Sequence, residues 1–286
     1  MKNNSNRLFK SISIWPIVIY TLSLILLPII YILFLSFFEN DSYGGIIYHF
    51  TLENYLSIID MTYIRIFLKS ALIGLITTFL CICISYPFAL VLKSKSAKTQ
   101  NLVTKLVMVP FLTNSLIRTY GWIVLLRKNG IINGILGSLN IINNPLNLMY
   151  NKLGIIIGMT YTLLPFMILP VCSAVFKVDK THIEAAKDLG AKPWQIFRKI
   201  IVPQTISGVF NGSLMVFIPA IGYFFIADIL GGGKEMIVGN LIKNQFLTAR
   251  NWPFGSAISI FLIIVTFFLV KIYQKLGGKL DDLGGM

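Results

Sequence analysis

Charge is what this 286-residue sequence has least of. Asp, Glu, Lys and Arg make up 13% of it, against about 25% in an average soluble domain. A soluble fold of this size could not cover its surface with so little charge, which excludes a soluble enzyme. Acid is scarcer than base, at 11 Asp and Glu against 25 Lys and Arg. Cysteine is scarce too, and Cys81, Cys83 and Cys172 all fall inside apolar runs. No disulfide or zinc framework follows from them, and we read all three as small core residues. The two histidines, His49 and His182, lie outside the apolar runs, and no H-E-x-x-H is present. That leaves no histidine for an intramembrane Ser–His dyad or a metalloprotease. Internal repeats and low-complexity tracts are missing as well.

Apolar residues are what is there, at 56%, far too many for a disordered chain. They gather in six segments, 12–38, 66–92, 102–126, 153–176, 205–227 and 256–273. Each is long enough to cross a bilayer as a helix. A β-barrel would instead show short alternating segments of about 10 residues. The sequence therefore predicts an all-α, polytopic membrane bundle of six helices. The first segment follows Lys2, Arg7 and Lys10, as in a signal peptide, but it is far longer than a signal's apolar region and lacks a small-x-small cleavage site. An uncleaved first span is expected.

Orientation follows from the cations. With the N-terminus inside, the inner segments (1–11, 93–101 with Lys105, 177–204 and the tail from Lys271) hold 16 Lys and Arg. The outer loops 39–65, 127–152 and 228–255 hold 7. That excess predicts both termini in the cytoplasm. It also accounts for the net charge of +14 without nucleic acid. Pro28, Pro87, Pro110, Pro165, Pro170 and Pro219 interrupt the spans, so neighbouring helices or local adjustments must satisfy the freed carbonyls. Gly208 and Gly212 form a G-x-x-x-G, where helices can approach closely. The stretch from Gly231 to Glu235 looks superficially like a P-loop. Asp228 stands at the first glycine position and Glu235 at the magnesium-holding hydroxyl, so a turn is expected there and no ATPase motif.

The longest inner loop, 177–204, reads as structure. Thr181-x-x-Glu184 fits a capping box that starts a helix. Gly190 stands where a glycine would stop it, and Pro193 suits the first position of a second helix. In that helix Ile196, Phe197, Ile200 and Ile201 share one face, with Lys192, Arg198 and Lys199 elsewhere. Pro203 is expected to end it. Two such short helices cannot bury their stripe alone. They either pack under their own spans or dock into another protein, helix in groove.

The run Glu184-Ala185-Ala186-x-x-x-Gly190-Ala191, with Phe197, Ile200, Val202 and Pro203, resembles the EAA loop of ABC importer permeases of type I. Ser207-Gly208 stands where that family commonly has Pro-Gly. Two further stretches, from Pro110 to Gly121 and from Gly239 to Gly255, resemble the B-type permeases of spermidine/putrescine importers. The resemblance implies a six-helix permease fold with a core over 66–273, the first helix and its outer loop in 1–65, and a cytoplasmic tail over 274–286. It implies that Glu184, Ala185, Ala186, Gly190, Phe197, Ile200 and Pro203 couple to an ATPase dimer, which uses ATP and Mg. The other implied partners are a second, homologous permease, an extracytoplasmic polyamine-binding protein and membrane lipid; no cofactor is bound by this chain.

For a polyamine, carboxylates and aromatic faces are the apt ligands, which makes Asp228, Glu235, Tyr120 and Tyr223 the candidate path residues. Arg118 lies roughly 12 Å inside its span and would repel a cationic substrate. We read it as a structural intramembrane charge paired with Asp228 or with a carbonyl. Alternatives stay open: a permease of the same class for sulfate, molybdate, iron or an opine, or an ion-coupled secondary transporter. The latter predicts intramembrane carboxylates and inverted repeats, and the spans hold essentially none of the former.

Overall fold

The computed structural model of the chain describes residues 2–41 and 43–275. The tail expected over 274–286 lies outside the described residues beyond Lys275. The described chain is helical almost throughout. In order come α1 (Lys2–Leu35), the antiparallel strands β1 (Glu39–Asn40) and β2 (Ile46–Ile47), α2 (Glu53–Ile58), α3 (Met61–Lys93), α4 (Ala97–Met108) and α5 (Ser115–Leu126). They are followed by α6 (Ile131–Ser138), α7 (Lys152–Lys177), α8 (Lys180–Asp188), α9 (Pro193–Ile196), α10 (Val202–Gly222), α11 (Phe224–Gly231), α12 (Val238–Leu247) and α13 (Trp252–Lys275).

Among the described residues, five helical stretches are long and apolar enough to cross a membrane: Trp15–Leu35, Met61–Lys93, Lys152–Lys177, Pro193–Gly222 and Trp252–Ile272. The third expected span, 102–126, is broken. α4 passes into a 3-10 turn at Val109–Leu112, and the chain restarts as α5. Pro110 has no N–H to continue the ladder. Thr113 turns back so that its N–H and hydroxyl both donate to the Pro110 carbonyl, at 3.3 and 2.8 Å. Asn114 then caps α5, its Oδ1 accepting from Leu116 N–H at 2.8 Å. The fifth expected span, 205–227, is also interrupted: α10 ends at Gly222 and α11 begins at Phe224.

The chain forms two compact units. One comprises residues 2–61 with Ile242–Val265, the other Thr62–Leu241 with 266–275. In the first, the chain leaving α1 is held by α2. Asn54 donates to the carbonyls of Ser36 and Phe38 at 3.0 and 2.8 Å, and the hydroxyls of Ser36 and Tyr55 meet at 2.6 Å. The second unit is built around α7. Ile155, Met159, Leu163, Met167, Val171 and Val175 recur every four residues along α7, and all are fully buried. That row is one face of a helix. α10 lies against α7 at the G-x-x-x-G. A Cβ on Gly208 would stand 2.4 Å from the Ala174 Cβ, and one on Gly212 2.5 Å from the Met167 Sδ. The absent side chains are what let these two helices touch.

The cysteines divide. Cys81 and Cys172 are buried, as expected, but Cys83 is exposed. Two residues apart on a helix point to different sides, so Cys81 and Cys83 cannot share one core. Cys83 instead lines an open apolar groove of about 720 Å³ with Tyr86, Phe197 and Phe210.

Candidate coupling surface and outer polar sites

The loop 177–204 folds as two helices joined by a turn, with three departures from the sequence expectation. First, the cap of α8 is Asp179 and not Thr181. The Asp179 carboxylate accepts from the Thr181 N–H at 2.9 Å and the Thr181 hydroxyl at 2.6 Å. A carboxylate accepts more strongly than a hydroxyl, so it takes the capping role and Thr181 becomes its donor. These two bonds hold the Asp179 carboxyl below its usual pKa. Glu184 is therefore an exposed residue of α8 and no part of a capping box.

Next comes the turn. The Gly190 N–H donates to the Lys187 carbonyl at 2.8 Å and the Ala191 N–H to the Ala186 carbonyl at 2.9 Å. Gly190 has φ +76°. This is the Schellman arrangement, which satisfies two carbonyls at the helix end and favours a glycine at this position. Pro193 opens α9, and the Gln195 side chain accepts from the Lys192 N–H at 2.8 Å.

The second departure is that Pro203 ends nothing. Phe197–Ile201 form a π-turn, in which the Val202 N–H donates to the Phe197 carbonyl five residues back. The wider turn accommodates the proline's missing N–H, and α10 continues through Pro203. The third departure concerns the apolar stripe. Ile196 is buried and Phe197 and Ile200 are half-buried. The Phe197 ring stands edge-on to Tyr86 of α3 at 5.4 Å and stacks on Trp194 at 5.5 Å. The apolar side chains that stay outward are Leu189, 88% exposed, and Trp194, 66% exposed. Among the expected coupling residues, Glu184 and Ala185 are exposed and Ala186 is half-buried.

Sequence reading missed the groups that fasten this loop. The Lys93 ammonium, at the end of α3, donates to the Val175 carbonyl at 3.0 Å and to the Val178 carbonyl. The Tyr86 hydroxyl is hydrogen-bonded to the Thr205 hydroxyl. Neither pairing has a local signature: the partners lie 82 to 119 residues apart.

The polar residues expected on the outer side are also engaged. Asn240, 4% exposed, donates its amide to Asp228 Oδ1 at 2.5 Å and to the Phe224 carbonyl at 3.0 Å. Its own oxygen accepts from the Ile237 N–H at 3.2 Å. Asn240 thus holds α11 and the start of α12 around the break at Tyr223, whose ring lies 5.2 Å from Phe225. Glu235 forms an ion pair with Lys69 of α3, and next to it the Val238 N–H donates to the Ser70 hydroxyl at 2.9 Å. Tyr120 is exposed on α5. The glycines that resembled a P-loop form the end of α11, where Gly232 takes φ +64° and its N–H donates to the Asp228 carbonyl.

Arg118 sits in the first turn of α5. Its guanidinium lies 5.4 Å from the centre of the Phe111 ring and 6.0 Å from that of Tyr161. The expected partner was Asp228 or a carbonyl; the structure provides aromatic faces. Cation–π attraction strengthens away from water, which offsets part of the cost of drawing the half-buried guanidinium out of water.

The comparisons with known proteins agree with one another. The family described as "Binding-protein-dependent transport system inner membrane component" matches residues 3–279. The spermidine/putrescine transport system permease protein PotB of Haemophilus influenzae is 40% identical over 270 residues, 94% of each chain. PotB of Escherichia coli K12 is 41% identical over 251 residues, 88% of this chain and 91% of that one. Among solved structures, a bacterial alginate ABC transporter in complex with its alginate-bound periplasmic protein superposes with TM-score 0.75, at 13% identity, over 96% of this chain and 97% of that chain. The MetNI methionine transporter does so with TM-score 0.56, at 17% identity, over 77% and 96%. The fold is shared with the transporter subunits of these solved structures, and the chain belongs to the family of binding-protein-dependent transport system inner membrane components.

Proposed function

We propose that this subunit forms half of the translocation path of an importer for spermidine and putrescine. The observation that carries this reading is the 40% identity to a spermidine/putrescine permease over 94% of both chains. The cytoplasmic turn 177–204 docks onto an ATPase dimer, which binds the ATP and Mg. Leu189 and Trp194 are the apolar groups free to enter a cleft there, and Glu184 lies exposed beside them. A second, homologous permease supplies the other half of the path, and an extracytoplasmic polyamine-binding protein delivers the substrate. Both termini lie in the cytoplasm, in line with the 16-to-7 cation excess. Transport proceeds by alternating access, with ATP binding closing the ATPase dimer and moving the docked helices.

In the path, Tyr120 and Tyr223 offer aromatic faces to an ammonium. Asp228 and Glu235 are held by Asn240 and Lys69. A polyamine reaching either carboxylate exchanges one cationic or amide donor for another, which favours brief, reversible contact over tight binding.

Two measurements test this reading. Labelled spermidine uptake by the assembled complex in proteoliposomes should be competed by putrescine and not by sulfate, molybdate, iron or opines. Competition by one of those anions or metals alone would assign the substrate elsewhere. For orientation, single cysteines at His49→Cys and Lys95→Cys should react with an impermeant reagent from opposite sides; reaction of both from one side would overturn the topology.

A further inference from the structure

We infer that α3 is the strut that carries motion of the cytoplasmic loop into the bundle, gripping that loop at both ends through two positioning residues, Lys93 and Tyr86. This inference rests on the reading that an ATPase docks on 177–204. The first grip is at the start of the loop. Val175 and Val178 carry carbonyls at the C-terminal end of α7, where the helical ladder runs out and the helix dipole is negative; the Val175 carbonyl accepts from the Val178 N–H at 3.2 Å and has a lone pair left. The Lys93 ammonium takes both. The second grip is at the end of the loop. There the Tyr86 hydroxyl bonds Thr205, which is fully buried, and the Tyr86 ring packs edge-on against Phe197.

Seven residues separate Tyr86 from Lys93, two turns of one helix and about 10 Å along its axis. Both therefore lie on one face of α3. Between the grips the loop is a stiff unit, its two helices joined by the Schellman turn at Gly190. A push on exposed Trp194 reaches Phe197, on which it stacks, and then Tyr86. The loop cannot shift as a body without moving α3 or breaking these bonds. Pro87 follows directly after the second grip. Its missing N–H leaves the Cys83 carbonyl without its helical partner and weakens α3 at that point. The segment 87–93 is thus a lever with a soft joint at its root and Lys93 at its tip.

A purely structural role makes a different prediction. Replacing both partners of a buried hydrogen bond with apolar groups of the same shape is nearly neutral for stability. The double variant Tyr86→Phe/Thr205→Val keeps the packing and removes the link, together with the Thr205 hydroxyl's bond to the Ile201 carbonyl at 2.8 Å; Tyr86→Phe alone, which leaves that bond in place, is its control. In proteoliposomes with the full complex of both permeases, ATPase dimer and binding protein, the quantity to read is labelled spermidine transported per ATP hydrolysed. Tyr86→Phe/Thr205→Val and Lys93→Met are each expected to lower that ratio roughly fivefold, the order of one lost hydrogen bond, with co-purification unchanged; the melting temperature holds in the first and falls slightly in the second, where two carbonyls lose their donor. Lys93→Arg, which can still donate to the two carbonyls, should restore the ratio. An unchanged ratio in both variants overturns the strut. So does a lowered melting temperature with an unchanged ratio, which assigns these groups to stability alone. A wild-type chain that retains no ATPase sinks the docking reading itself, and that outcome is distinct because no variant is needed to see it.

Discussion

α1 and α7 are both apolar enough to cross a membrane, yet they lie at opposite extremes of packing. None of the most apolar window of α1 is buried within the chain, against 56% for that of α7. The difference is one of size, not of polarity. α1 contains no glycine and no alanine, and it presents Leu, Ile and Tyr around its whole circumference. α7 carries Gly154 and Gly158 on one stretch and meets Gly208 and Gly212 of α10 on another. In lipid, apolar surface gains little by leaving the solvent, so close backbone approach and dispersion decide which helices associate. Hydropathy identifies the spans, and small residues identify the pairs.

The sharpest way to break that contrast is to fill the contact. Gly208→Leu would place side-chain atoms where the Ala174 Cβ and the Pro170 carbonyl already stand, 2.4 and 2.6 Å from a first added carbon. We expect a loss of about 3 kcal/mol, seen as a collapse of the monodisperse fraction and of the melting temperature in detergent. A substitution of comparable size change in α1, Leu26→Ala at an exposed position, should stay within about 0.5 kcal/mol in the isolated chain. Equal effects at the two sites would refute the size argument.

A smaller loss is expected where α7's unit is held by polar groups. Asn240→Ala removes one amide from Asp228, the Phe224 carbonyl and the Ile237 N–H together. About 2 kcal/mol is the expected cost, since buried partners are left unmade; the melting temperature of the purified chain reads it. Gly190 tests the opposite regime. A Cβ there would meet no atom within 4 Å, so only the positive φ is at stake, about 1–2 kcal/mol for an ordinary residue. Gly190→Val should leave the bundle's melting unchanged while the ATPase no longer co-purifies. Gly190→Asn, which tolerates the left-handed region, should retain most of the association.

The smallest effect is expected at the first turn of α8. Asp179 has its pKa lowered by the two bonds from Thr181. A carboxyl depressed in the folded state stabilises it above the ordinary carboxylate pKa, and that contribution is lost as pH falls through the lowered value. Amide exchange in α8 should therefore quicken on acidification through the carboxylate range, while exchange in α7 does not. An Asp179→Ala chain that still shows the acid-induced quickening would place the titrating group elsewhere.

Several parts of this architecture were legible in the sequence, each through a short-range rule. Gly190 and Pro193 mark the turn and the restart of the helices of 177–204 because a left-handed position and a first helical position select those residues. The glycine pair in α10 marks the contact with α7. The break before α5 was also written locally, as Pro110 followed by an Asn114 cap, but the apolar run continues across it and hydropathy averages it away. The break at Tyr223 has no such local mark. Competition between neighbours decided the cap of α8: Asp179 and Thr181 are both good caps, and charge chose. Lys93, Tyr86 and Ser70 were invisible because their partners lie far along the chain, 168 residues away for Ser70 and Val238. Arg118 was legible as a charge set in an apolar run, and only the fold could show that rings and not a carboxylate receive it.

The π-turn at Phe197–Ile201 has a consequence for phase. Each residue advances a helix by about 100°, and a five-residue turn holds one residue more than the ladder on either side. The faces of α9 and α10 are consequently out of step by about that angle, although the chain runs on without a gap. A helical wheel drawn straight through from Pro193 to Gly222 assigns the wrong side to everything beyond the turn. Deleting one residue from 197–201 would turn the segment into a regular helical turn and leave Trp194 on its present side, whereas forcing the segment at its present length into regular α-helix would swing Trp194 about 100° around the axis of α10, so the π-turn sets the direction in which the 177–204 turn points.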